Sequence, residues 1–178
     1  MRRTVLLVGL LALCGGRGFA VWKALKTDSF LLFYPAGRES QAFEALQALE
    51  RRRSYVEALV GRSGGMLSVV LVDAGTESNG FTDFLFRRAH LYLYPPSDGE
   101  IAFGPSWWEL LGVHEYTHWL QLTSASGLPG ALAWAFGGVY APNALVPDWL
   151  AEGLAVYAES GITPYGCLLY TSPSPRDS

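Results

Sequence analysis

The chain has 178 residues, half of them apolar and 16% charged, with a formal net charge of −3. That length suits a domain with a proper buried core, and mild acidity with no basic stripe excludes nucleic acid as an expected partner. Gly and Pro are dispersed along the chain, and no repeat of solenoid or propeller period recurs.

Residues 1–20 read as an export segment. Met1-Arg2-Arg3 is a basic start, Val5 to Leu13 a short apolar run, and Gly18-Phe19-Ala20 offers small residues for cleavage after Ala20. The run is shorter than the roughly 20 residues that span a bilayer, and Arg17 interrupts its extension. A cleaved signal is the leading reading. An uncleaved anchor and a lipidated Cys14 are the alternatives, although Leu13 stands where a small residue normally precedes a lipidated Cys. Each places the rest of the chain outside the cytoplasm (periplasmic, secreted or membrane-anchored), with membrane association through the N-terminal segment in the last two. Cys14 and Cys167 are the only cysteines, so residues 21–166 contain no disulfide and must be held by packing and a metal.

In chain order, Phe30 to Tyr34 reads as a buried strand closed by Pro35 and Gly37. Glu39 to Val60 reads as an amphipathic helix with Phe43, Leu46, Leu49, Val56, Leu59 and Val60 near one face, stopped by Gly61. Met66 to Val72 is a second β-branched strand, Asp73 to Gly80 a turn-rich loop, and Ala89 to Tyr94 a half-exposed strand ended by Pro95-Pro96. Ser106-Trp107-Trp108-Glu109 fits a capping box and opens a helix to about Leu122. Residues 125–147 are Gly-, Pro- and Ala-rich and nearly uncharged, and read as a partly buried connection. Asp148 is the N-cap candidate for a last helix, Trp149 to about Ser160. The order predicts an α+β plan with helices packed on one mixed sheet.

His114-Glu115-Tyr116-Thr117-His118 matches H-E-x-x-H inside the helix. A spacing of four puts both imidazoles on one face, a turn apart, where two nitrogens can converge on one zinc ion. Glu115 then stands beside the metal as general base, able to take a proton from a water acidified by zinc and pass it to a leaving amine. A catalytic zinc needs a third protein ligand. Glu152 is the first candidate, because a carboxylate in the apolar helix of Trp149, Leu150, Leu154 and Val156 is costly unless paired or bound to metal. Glu159, two turns on, and Asp148 are the alternatives; an ordinary solvated helix end is the simpler reading of Glu159. Gly153 suggests close approach of a neighbour. The pair Trp107-Trp108 is expected in the core, as are Tyr140 and Tyr157, and His90 reads as a half-buried strand histidine.

HEYTH followed by PDWLAEGLAVYAES resembles the gluzincin branch of the zincin metallopeptidases, and more narrowly the bacterial peptidase MA-like group. Ser78-Asn79-Gly80-Phe81 and Pro142-Asn143 are similar to it as well, so the resemblance covers roughly residues 28–165. It implies a zincin-like core within residues 21–166, with HExxH on an active-site helix, a zinc cofactor and hydrolysis of peptide bonds in a peptide or protein substrate. Carried onto this chain, it implies His114, His118 and Glu152 as ligands and Glu115 as base. In zincins an edge strand beside that helix pairs with extended substrate. Ala89, Leu91 and Leu93 are the candidate substrate-binding residues on that ground, with an ordinary sheet edge or a paired inner strand as the alternatives.

Residues 167–178 break the character of what precedes them and resemble a transposase-type sequencing adapter translated in one frame. They are expected to be non-native, with the natural chain continuing past Gly166 and carrying any oxyanion-stabilising residue. Two rivals to the peptidase reading stand: a catalytically inactive zincin-fold binding or assembly module of an exported protein, and a metal-dependent hydrolase acting on something other than peptide.

Overall fold

A computed structural model describes residues 5–7, 21–75, 77–83, 86, 88–95, 106–123 and 146–163. The strands are β1 (Val5–Leu7), β2 (Trp22–Lys26), β3 (Phe30–Pro35), β4 (Leu67–Val72), β5 (Gly80–Asp83) and β6 (Arg88–Tyr92). The helices are α1 (Glu39–Val60), α2 (Trp107–Leu122) and α3 (Asp148–Ser160). One sheet runs in the order β1-β2-β3-β4-β6-β5. Its centre is parallel, β3 with β4 and β4 with β6, and its remaining pairs are antiparallel. The expected α+β plan with a mixed sheet is what the chain adopts.

The local chemistry explains most boundaries. Thr27 turns β2 into β3, its hydroxyl accepting from the Phe30 amide at 3.0 Å. Two parallel neighbours need a crossover, and α1 supplies it between β3 and β4. Gly61 ends α1 in the left-handed region at φ 72°, its N–H donating to the Glu57 carbonyl, the stop expected from its position.

Strict alternation in β3 and β4 turns Phe30, Leu32, Tyr34, Leu67, Val69 and Leu71 toward the helices. They meet α1 and α2 there in one core that includes Val113, Tyr116, Trp119 and Leu120. The buried stripe of α1 is Ala42, Ala45, Leu46, Ala48, Leu49 and Val56, while Phe43 faces solvent. Leu46, Leu49 and Val56 of the expected face are buried and Leu59 and Val60 pack partly buried against the core, so Phe43 is its one departure; α1 touches both the sheet and α2, and alanines allow the close approach. Trp107 and Trp108 are buried as expected, and the Trp107 indole donates to the Tyr92 carbonyl at 3.0 Å.

Ser106 caps α2, its hydroxyl accepting from the Glu109 amide at 3.3 Å. The reciprocal half of the capping box does not form. The Glu109 carboxylate accepts from Arg51 Nε at 3.0 Å and Arg52 Nη2 at 2.9 Å on α1, since charge-assisted bonds outcompete a neutral amide. Asp148 is likewise not the cap of α3. Pro147 occupies that position without a side-chain bond, and Asp148 lies in the first turn, where negative charge favours the helix dipole.

Three short strands have no counterpart in the sequence reading: β1, β2, and β5 in place of the end of the turn-rich loop. Within the segment read as an export signal, residues 5–7 pair with β2 and the remainder lies outside the described residues. Residues 124–145, with Tyr140 and Pro142-Asn143, also lie outside them, as do Cys14, Cys167 and the tail 167–178. Among the described residues no helix is long and apolar enough to cross a membrane.

Candidate metal centre

α2 is fastened on the side away from the two imidazoles. Tyr116 and Thr117, the variable pair of the motif, are both buried. The Tyr116 ring meets Phe30 edge-on, and its hydroxyl donates to Glu57 Oε1 on α1 at 2.9 Å. Thr117 donates back to the Val113 carbonyl at 2.7 Å. With those residues packed inward, His114 and His118 project from the helix with their rings edge to face, centroids 4.7 Å apart.

Their Nε2 atoms lie 3.0 Å from each other. Glu152 on α3 closes a triangle, Oε2 at 3.4 Å from His114 Nε2 and Oε1 at 3.5 Å from His118 Nε2. Donor atoms of all three residues lie within 4.8 Å of one another. Four ligands at about 2.0–2.1 Å in a tetrahedron stand about 3.3 Å apart, so these separations fit one small cation of zinc type. The donor set, two imidazoles and one carboxylate, is also one that suits zinc and leaves a fourth position open.

Glu159 is neither a ligand in this arrangement nor a solvated helix end. His114 Nδ1 donates to Glu159 Oε1 at 2.5 Å, which fixes the ring with Nε2 facing His118 and Glu152. Its spacing of seven from Glu152, on a similar helix face, was the available signal. Asp148 is absent from the donor cluster.

The electrostatics favour positive charge at the same point. Burial works against the charged form of His114, but hydrogen bonds to Glu152 and Glu159, and then the charges of Glu159 and Glu115, raise its pKa to about 10. Glu152 is held well below the usual carboxylate range by its contacts with His114 and His118.

Glu115 is 2% exposed. Burial pushes its carboxyl pKa up, against the pull of His114, the Thr82 hydrogen bond and His118. Thr82 Oγ1 on β5 donates to Glu115 Oε2 at 2.8 Å. That partner was missed because β5 is four residues long and bears no period that a sequence can display.

No protein-family model matches the chain, and no curated protein or solved structure does either.

Three expectations about the surroundings are corrected. Ala89, Leu91 and Leu93 do not offer an open strand edge. β6 lies between β4 and β5 with its backbone paired on both sides, the Leu93 amide donates to the Val72 carbonyl, and all three side chains are buried. The alternative of a paired inner strand is the one found, and β5 is the terminal strand beside α2. Tyr157 is 63% exposed and not part of the core. Nothing among the described residues lies within 4 Å of a side chain placed at Gly153. His90 is half-buried as expected, stacked on Phe81 with centroids 4.3 Å apart, and burial lowers its pKa.

Proposed function

We propose that the chain is a zinc-dependent peptidase of the gluzincin type, built on a zincin-like core and working outside the cytoplasm. The observation that carries this reading is the triangle of His114, His118 and Glu152 donors with a buried carboxylate, Glu115, one residue from the first ligand. The mixed sheet packed against the HExxH helix supports the finer fold reading.

In this reading His114 and His118 hold zinc through Nε2 and Glu152 through a carboxylate oxygen. A zinc ion bound there supplies Lewis acidity to a water molecule and to the scissile carbonyl. Glu115 takes one proton from the attacking water as the C–O bond forms, then delivers it to the amine as the C–N bond breaks. Burial shifts the Glu115 carboxyl upward, the direction that favours taking up and returning a proton. Glu159 keeps the His114 proton on Nδ1, so that the other nitrogen stays available as a ligand.

The test is Glu115→Gln in the full chain, with zinc binding followed by competition against a chromophoric chelator and hydrolysis followed on a mixture of internally quenched peptides. The expected result is unchanged zinc affinity with hydrolysis lost. Full activity in that variant removes the proposed base, and a folded chain without zinc affinity removes the peptidase. The rival binding-module reading expects zinc binding with no hydrolysis by either protein.

A further inference from the structure

β5 meets the HExxH helix through two residues on one face of the strand, Gly80 and Thr82. The Thr82 hydroxyl lies 2.8 Å from Glu115 Oε2 and 3.1 Å from the Glu115 carbonyl oxygen. A hydroxyl has a single proton, and a carboxylate is the stronger acceptor, so the bond goes to Oε2. Two positions earlier, a Cβ on Gly80 would stand 2.7 Å from Glu115 Oε1 and 2.5 Å from Leu111 Cδ1. One carboxylate oxygen is therefore tied to a donor while the other lies against bare backbone.

We propose that Thr82 is the positioning residue of Glu115, its hydroxyl setting the rotation of the carboxylate. The catalytic meaning of this assignment rests on the peptidase reading. The terminal torsion of a glutamate is broad and nearly two-fold, so packing of the stem alone leaves the plane of the carboxylate poorly determined. A donor on a neighbouring strand removes that freedom before substrate arrives. The reacting group then stands in one orientation at the moment of proton transfer.

Thr82→Val keeps the β-branched shape and removes the donor, and Thr82→Ser keeps the donor and removes a methyl. With the zinc-loaded full chain and internally quenched peptides, Thr82→Val is expected to lower kcat about tenfold or more. KM should stay within about twofold, the mark of an interaction that matters in the transition state and not in binding. Zinc affinity should match the parent, and Thr82→Ser should recover most of kcat. A second readout needs no turnover: ¹³C NMR of chain labelled at the glutamate carboxyl carbon, with Glu115 assigned by its disappearance in Glu115→Gln. Its resonance should move in Thr82→Val and return in Thr82→Ser. Parental kcat in Thr82→Val, or an unmoved Glu115 resonance, overturns the assignment. If the parent itself hydrolyses nothing, the peptidase reading falls. The resonance alone then decides Thr82: moved by valine and restored by serine it supports the anchor, and otherwise the anchor is refuted.

Discussion

His114 is gripped from both ring nitrogens by one helix: Nδ1 donates to Glu159 at 2.5 Å while Nε2 faces Glu152 at 3.4 Å. Two carboxylates seven positions apart on α3 thus set both the charge that completes the donor triangle and the orientation of the ring that points into it. The two carboxylates divide the work by burial. The Glu152 side chain is 59% exposed, within reach of a ligand, whereas Glu159 is mostly enclosed between helices.

Removing the Glu159 carboxylate should weaken the centre without dismantling it. Glu159→Gln is expected to lower zinc affinity about tenfold to a hundredfold, the usual effect of losing a partner behind a ligating imidazole. Chelator competition measures this, and the far-ultraviolet circular dichroism should not change. Equal affinity in parent and variant would show that the contact orients nothing.

Gly80 provides a way to displace the base from the strand side. In Gly80→Ala the new methyl would stand 2.5 Å from Leu111 Cδ1, 2.7 Å from Glu115 Oε1 and 3.2 Å from Glu115 Cγ, so these two side chains must shift. A loss of stability of only about 1 kcal/mol is expected, on the scale of modest overpacking. Hydrolysis should fall much further than stability, because the displaced atom belongs to the proposed base. Thermal denaturation and peptide turnover compared on one preparation would check this. Turnover falling only as far as stability does would place Gly80 outside the function.

Acid should release the clamp between α1 and α2. Burial raises the pKa of Glu109, but hydrogen bonds from Arg52 and Arg51, and their charges, outweigh it and leave the value lowered. A carboxylate whose folded pKa is depressed contributes stability that is fully present above its unfolded value, about 4.3, and lost as pH falls through the folded value. Both arginines are partly exposed, so solvent screening limits the contribution to about 1 kcal/mol. Glu109→Gln should lose that amount at neutral pH, and the difference from the parent should vanish in acid. Urea titrations at several pH values measure it, and a pH-independent difference would refute the assignment.

Much of the fold was legible in the sequence. The limits of α1 and α2, the Ser106 cap and the Gly61 stop rest on hydrogen bonds and side-chain spacings within a few residues, so the local chain carries them. The alternation of β3 and β4 was visible for the same reason. The face of α1 was legible except at Phe43, but its buried alanines were not, because a stripe of alanines signals close packing only when the neighbouring elements are known. The edge strand was misplaced for a related reason: the alternation from Ala89 to Tyr94 tells which face is buried and says nothing about whether the backbone is paired on both sides.

From its residues alone, the chain specified an α+β order of elements and put two imidazoles one turn apart on a helix, because a helical turn is a local geometry. Which strand ends the sheet, which carboxylate meets which imidazole nitrogen and what holds Glu115 were decided only by the tertiary structure. Thr82 and Glu115 are 33 positions apart, and His114 and Glu159 are 45 apart. Contacts across such distances depend on how sheet and helices stack, and no periodicity within either segment encodes that.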